Sequence, residues 1–172
     1  MNQRPAKDEA AEYFWAYIDK VPGDDIVAAL KAQTAEFTAL LGRVSEEASL
    51  GRYEPWKWSV REVTGHINDC ERVFAYRALW FARGLEGGLP SMDQDACVAH
   101  AGSNGVTMAA LAAEFQAVRA ATMAMVKSLP AEAWDRRGVS SGMPLSVRGA
   151  VWIICGHVEH HTQLFRERYG LS

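Results

Sequence analysis

The sequence has little to cross-link it. Three cysteines occur in 172 residues, Cys70, Cys97 and Cys155. They form no CxxC pair and no disulfide framework, which excludes a stapled scaffold and a thiolate ribbon site. No apolar run approaches the roughly 20 residues needed to span a bilayer, so no membrane partner is expected. The first ten residues are polar and charged, unlike a secretory leader. Together with free thiols, this points to a reducing cytoplasm. Positive charge is not in excess: 18 Lys and Arg face 21 Asp and Glu, a net −3. The basic stripe of a nucleic-acid binder is missing, so no nucleic-acid partner is expected. There is no Gly-rich phosphate loop, nucleophile elbow or dinucleotide fingerprint. No stretch alternates convincingly at period two, and no repeat or low-complexity segment occurs.

What is present is hydrophobic and helical. Nearly half of the residues are apolar, six of them tryptophan, enough for one globular domain over residues 1–172. A short helix is predicted over 8–20, closed by Val21-Pro22-Gly23. Asp24 or Asp25 can cap a helix over about 25–45. Ser59 and Glu62 form a capping-box pattern opening a helix that runs to about Arg83, where Gly84 stops it. Residues 84–106 are a Gly-rich crossover with one helical turn around Asp95 to His100. Thr107 opens a helix over about 108–128, Pro130 starts a turn through Trp134, and 138–144 is a loop. Ser146 opens the last helix. The fold class read from this is all-α: a four-helix bundle, a long crossover between its second and third helices, and a short extra N-terminal helix.

The last helix carries the chemistry. Ala150, Ile153, Ile154, Leu164 and Arg168 recur at helical spacing, and His157 and His161 fall within that stripe. Residues i and i+4 sit one above the other, so two imidazoles share an apolar face. Such histidines can chelate one divalent ion; the alternative is a set of core histidines bonded to backbone and water. Bundles build metal sites from facing helices, which makes His66 the third candidate ligand. Three neutral nitrogen ligands leave an open position, the pattern of a catalytic rather than a structural site. They also leave the ion its full charge, which favours deprotonation of a bound water or thiol.

Neighbouring residues have their own readings. Cys70, at i+4 from His66, is a possible ligand or a small buried thiol. Asp69 and Glu62 flank His66, and either can accept its second N–H or pair with an arginine. Arg77 can meet an anionic substrate group or form an ion pair. His160 points about 100° from its neighbour and suits a pocket or interface role. Trp56 and Trp58 either pack over the bundle end or line a pocket mouth.

The segments Trp58-Ser59-Val60-Arg61-Glu62-Val63-Thr64-Gly65-His66-Ile67-Asn68-Asp69, Glu71-Arg72, Met92-Asp93-Gln94-Asp95 and His157-Val158-Glu159-His160-His161 resemble the DinB/YfiT-like bundles, with similarity over roughly residues 10–169. The resemblance implies a four-helix bundle, often dimeric, with a divalent metal held by His66, His157 and His161. It also implies relatives that are metal-dependent transferases using low-molecular-weight thiols, such as bacillithiol S-transferases and mycothiol-dependent isomerases. The expected function is therefore a metal-dependent enzyme acting on a small molecule, by thiol transfer or by hydrolysis. Zinc, nickel or iron would suit the ligands. The competing expectation is a non-catalytic stress-related binding or dimerisation module with a structural or vestigial metal site.

Overall fold

Each long helix begins where the sequence supplies a hydrogen-bond acceptor for its first free N–H groups. The computed structural model of the chain describes residues 3–172. Helix α1 spans Glu12–Ile18, after a 3-10 turn at Lys7–Glu9. Helix α2, Ile26–Gly42, is capped by Asp25, whose carboxylate accepts from the N–H groups of Val27 and Ala28. Helix α3, Val60–Ala82, has the expected box: Ser59 accepts from the Glu62 N–H, and Glu62 accepts from the Ser59 N–H. Asp93 caps the short helix α4, Gln94–Ala101, which ends at Gly102 with a positive φ of 65°. Thr107 caps α5, Met108–Ser128, and Ser146 caps α6, Val147–Arg168.

Helices α2, α3, α5 and α6 form the bundle, and the crossover between α3 and α5 carries α4. Helix α3 packs chiefly on α6 and α5, α2 on α5 and α6, and α1 on α6. Apolar side chains gather in two clusters. One surrounds Trp152, Phe81, Trp134 and Ile18; the other joins Phe37, Phe115, Phe165 and Ile67. On α6, Cys155 belongs to the first and Val158 to the second, so His157 lies where the helix passes between them.

The expected loop over 138–144 is instead a β-hairpin, β1 Arg137–Ser140 with β2 Met143–Ser146. Its turn residues Ser141 and Gly142 both have positive φ, 56° and 74°, the geometry that matches the twist of a two-residue hairpin. Four-residue strands are too short to display an alternation, which is why the pattern did not announce them. The hairpin also pins the crossover: Leu89 N–H donates to Val139 O, and Ser141 N–H donates to Leu89 O, both at 2.9 Å. Among the described residues no helix is long and apolar enough to cross a membrane.

Candidate metal centre

His66 arrives from α3, and His157 and His161 from successive turns of α6. All three are buried, at 3%, 7% and 7% exposure. Their Nε2 atoms converge: His66 Nε2 lies 3.2 Å from His157 Nε2, which lies 3.1 Å from His161 Nε2. Among the described residues these three side chains form the one His, Cys, Asp or Glu group able to hold a metal ion.

The arrangement is a poor hydrogen-bond network and a good ligand set. His157 Nε2 has a single in-plane direction in which to donate or accept, yet two other Nε2 atoms approach it. Three lone pairs aimed at one point are satisfied together by a cation. Nitrogens bound to one zinc ion at about 2.0–2.1 Å in tetrahedral geometry stand about 3.4 Å apart, close to the separations found here. Burial lowers the His66 pKa to about 4, and lowers those of His157 and His161 well below the usual histidine value. The imidazoles are thus neutral at pH 7, as ligands must be.

The surroundings of the triad are largely aromatic. Trp58 lies 4.9 Å from the His66 ring, centroid to centroid, and Tyr17 lies 5.6 Å from His157 and 5.5 Å from His160. Tyr17 comes from α1, so the extra helix forms part of the site. It escaped the sequence reading because a tyrosine on a short amphipathic helix looks like packing. His160 is partly buried, 5.0 Å from the His161 ring. Trp58 thus packs at the site itself, while Trp56 is 75% exposed.

The two carboxylates named beside His66 are engaged elsewhere. Glu62 closes the α3 cap and accepts from Arg52 at 2.7 Å and Asn104 at 2.8 Å. Asp69 is partly exposed and faces Arg72 at 3.6 Å. The group near His66 is instead Cys70, whose Sγ lies 3.6 Å from its ring nitrogens. Burial pushes the Cys70 thiol up to about 12, so it stays protonated. His100 is exposed on α4, with Nδ1 2.7 Å from Ala96 O.

A cavity of about 130 Å³ opens beside the triad, and His157, Cys70, Arg77 and Ser141 all line it. Tyr13 and Tyr17 come to it from α1, and Met92 and Gln94 from the crossover. The long connection therefore closes the site. Arg77 is 4% exposed; its Nη2 donates to Pro90 O at 3.1 Å and Ser141 Oγ at 3.2 Å, and its guanidinium lies 4.7 Å from the Phe74 ring centroid.

A helical bundle with an inward-facing histidine triad on two facing helices is the framework of a metal-binding protein. The sequence matches the family model of the DinB superfamily over residues 29–165, and the chain belongs to that superfamily. No curated protein matches it in sequence. Among solved structures, YfiT from Bacillus subtilis, described as a probable metal-dependent hydrolase with an unusual four-helix bundle topology, is similar with a TM-score of 0.68 at 18% identity. That similarity covers 98% of this chain and 94% of YfiT. The mycothiol-dependent maleylpyruvate isomerase gives a TM-score of 0.68 at 13% identity, covering 85% of this chain and 60% of the isomerase. At these identities the likeness is one of fold, and it bears out the four-helix bundle.

Proposed function

We propose that the chain is a divalent-metal-dependent enzyme acting on a small molecule, with His66, His157 and His161 as ligands. The observation that carries this is the convergence of three buried, neutral Nε2 atoms beside a cavity. A bound zinc, nickel or iron ion supplies positive charge that favours the deprotonated form of a thiol or water brought to it. The chain's residues do the rest. The triad offers three neutral donors, and one of them, His157, also lines the cavity. Tyr17, Phe74 and Ile153 exclude water from the cavity wall.

Among the described residues the cavity contains no activated nucleophile of its own. Cys70 is protonated, and no histidine contacts Ser141 Oγ among the described residues. The nucleophile must come from outside, which supports transfer of a low-molecular-weight thiol to an electrophilic carbon, or hydrolysis. A mycothiol-dependent isomerase and a probable hydrolase on the same fold agree with both versions.

Elemental analysis of tag-free protein tests the proposal, with wild type beside His66→Ala and His157→Ala. Near one divalent ion per chain, lost in both variants, is the expected result. A folded wild type that takes up neither zinc nor nickel would overturn it. Screening thiols against electrophiles then separates transfer from hydrolysis. Self-association as a homodimer belongs to the same proposal, and a monomer mass in light scattering at micromolar concentration would overturn that part.

A further inference from the structure

Two of the buried arginines among the described residues come with carboxylates. Arg119, 1% exposed, is bidentate on Glu71 at 2.8 and 2.9 Å. Arg61, 8% exposed, pairs with Glu46. Arg77 is as deeply placed and has no carboxylate within ion-pair distance among the described residues. Its two bonds go to a carbonyl and a hydroxyl, both from Nη2. Its Nε and Nη1 have no hydrogen-bond partner among the described residues. A guanidinium this deeply placed without a counter-charge is costly, and its unpaired nitrogens are not sealed in the core but lie where the cavity reaches Arg77, open to an anion.

The cavity agrees with this. Among the described residues Arg77 is the sole charged side chain in its wall, and no Asp or Glu lines it. Ser141, the Nη2 acceptor, sits in the hairpin turn, and its N–H is anchored to Leu89 O. Arg77 also lies on the same face of α3 as His66. Eleven residues are close to three full turns, about 16 Å of rise, and helical side chains lean toward the N-terminus, here toward His66.

We infer that Arg77 anchors a carboxylate of the substrate, in the cavity wall away from the histidine triad. Nη2, common to both forks of the guanidinium, is spent on Pro90 O and Ser141 Oγ, so a carboxylate is met by the positive charge and by a single free N–H, of Nε or Nη1. With no second cation in the wall, the site suits a monoanion rather than a phosphate dianion. The substrate is then a small carboxylic acid whose reacting atom lies several bonds from its carboxylate, toward His157. This rests on reading the cavity as the substrate's.

Hexanoate and its neutral isostere hexanamide are the probes, titrated calorimetrically into zinc-loaded and chelator-stripped protein. Wild type should prefer hexanoate at least tenfold in both states, and Arg77→Met should abolish the preference in the stripped protein. Arg77→Lys, which keeps the charge and loses the planar donors, should retain a reduced preference and serves if the methionine variant does not fold. In wild type, the Arg77 Nε–H resonance should move with hexanoate and not with hexanamide. Equal binding of acid and amide by stripped wild type would overturn the inference. So would a preference that appears only with zinc and survives Arg77→Met, since the ion would then be the carboxylate's partner and the metal proposal would stand. A preference in stripped protein that depends on Arg77, in a chain that takes up no metal, would leave the anchor standing and the metal proposal fallen.

Discussion

A Cβ placed on Gly156 would lie 2.1 Å from the carbonyl oxygen of Tyr17. Helix α1 therefore sits directly on α6, one residue before the ligand His157, and the absent side chain is what lets it approach. The glycine's role is close packing, since its backbone stays helical. The same contact places the Tyr17 ring between His157 and His160. Gly156→Ala must push α1 outward. The expected cost is about 1–3 kcal/mol of stability, as for overpacked cores. Zinc affinity should fall with it, because His157 loses its wall. Urea unfolding and a zinc titration of the variant read the two effects separately. A variant as stable as wild type would show that α1 is not seated on Gly156.

Beneath the triad, the four bundle helices are tied by one buried polar chain. Glu71 on α3 holds Arg119 on α5, Arg119 Nη1 donates to Gln33 Oε1 on α2 at 3.0 Å, and Gln33 Nε2 donates to Cys155 O on α6 at 2.9 Å. Removing one partner leaves the other charge buried and alone. Glu71→Ala should therefore cost about 3–5 kcal/mol, whereas Glu71→Met combined with Arg119→Leu should cost less than Glu71→Ala alone. Chemical denaturation of the three proteins checks this, and a double variant less stable than Glu71→Ala would mean that the charge pair itself holds the helices together.

The polar chain also shows where sequence reading stops. His66, His157 and His161 are legible in the sequence because helical periodicity fixes which face each occupies, and an i, i+4 pair on an apolar face needs a partner. Ser59, Thr107 and Ser146 mark helix starts for equally local reasons. The partners of Glu62 and Asp69 are a different matter. Nothing local says that Glu62 meets Asn104 across the crossover, or that Asp69 faces Arg72 rather than His66. The sequence leaves Arg77 open between a substrate anion and an ion pair, because the composition of a cavity wall depends on the hairpin and crossover that fold over it. Tyr17 and Ser141 enter the site through tertiary placement alone.

Thiol reactivity should divide the cysteines. Cys70 and Cys155 are buried, and burial pushes each thiol up to about 12; Cys97 is partly exposed. The thiolate is the reactive form, and at pH 8 it is on the order of one in ten thousand for a thiol of pKa 12. Native protein should therefore take up one equivalent of iodoacetamide, at Cys97, and unfolded protein three. Mass spectrometry of the labelled peptides checks it, and rapid labelling of Cys70 in native protein would show that the cavity beside His66 opens to solvent.

Acid should unfold the metal-stripped chain earlier than its carboxylates alone would require. Burial depresses the three histidines, His66 to about 4 and the other two further, so the folded state holds them neutral. Above about pH 6.5, the ordinary histidine value, both states are neutral and these groups contribute no pH dependence. As the pH falls from about 6.5 toward 4, the unfolded chain binds protons that the folded chain refuses, and stability falls. For His66 alone the loss approaches roughly 3 kcal/mol near pH 4 and levels off below it, while His157 and His161 continue to add to the loss. At pH 7, zinc at a hundred times its dissociation constant should add about 2.7 kcal/mol, and that gain should itself shrink on acidification as protons compete for the same nitrogens. Melting curves of stripped and zinc-loaded protein from pH 8 to pH 4 test both effects. A stripped protein whose melting temperature is flat between pH 6.5 and 5 would mean that the three rings already carry a proton or are open to water, and that they do not form the dry, neutral triad on which metal binding depends.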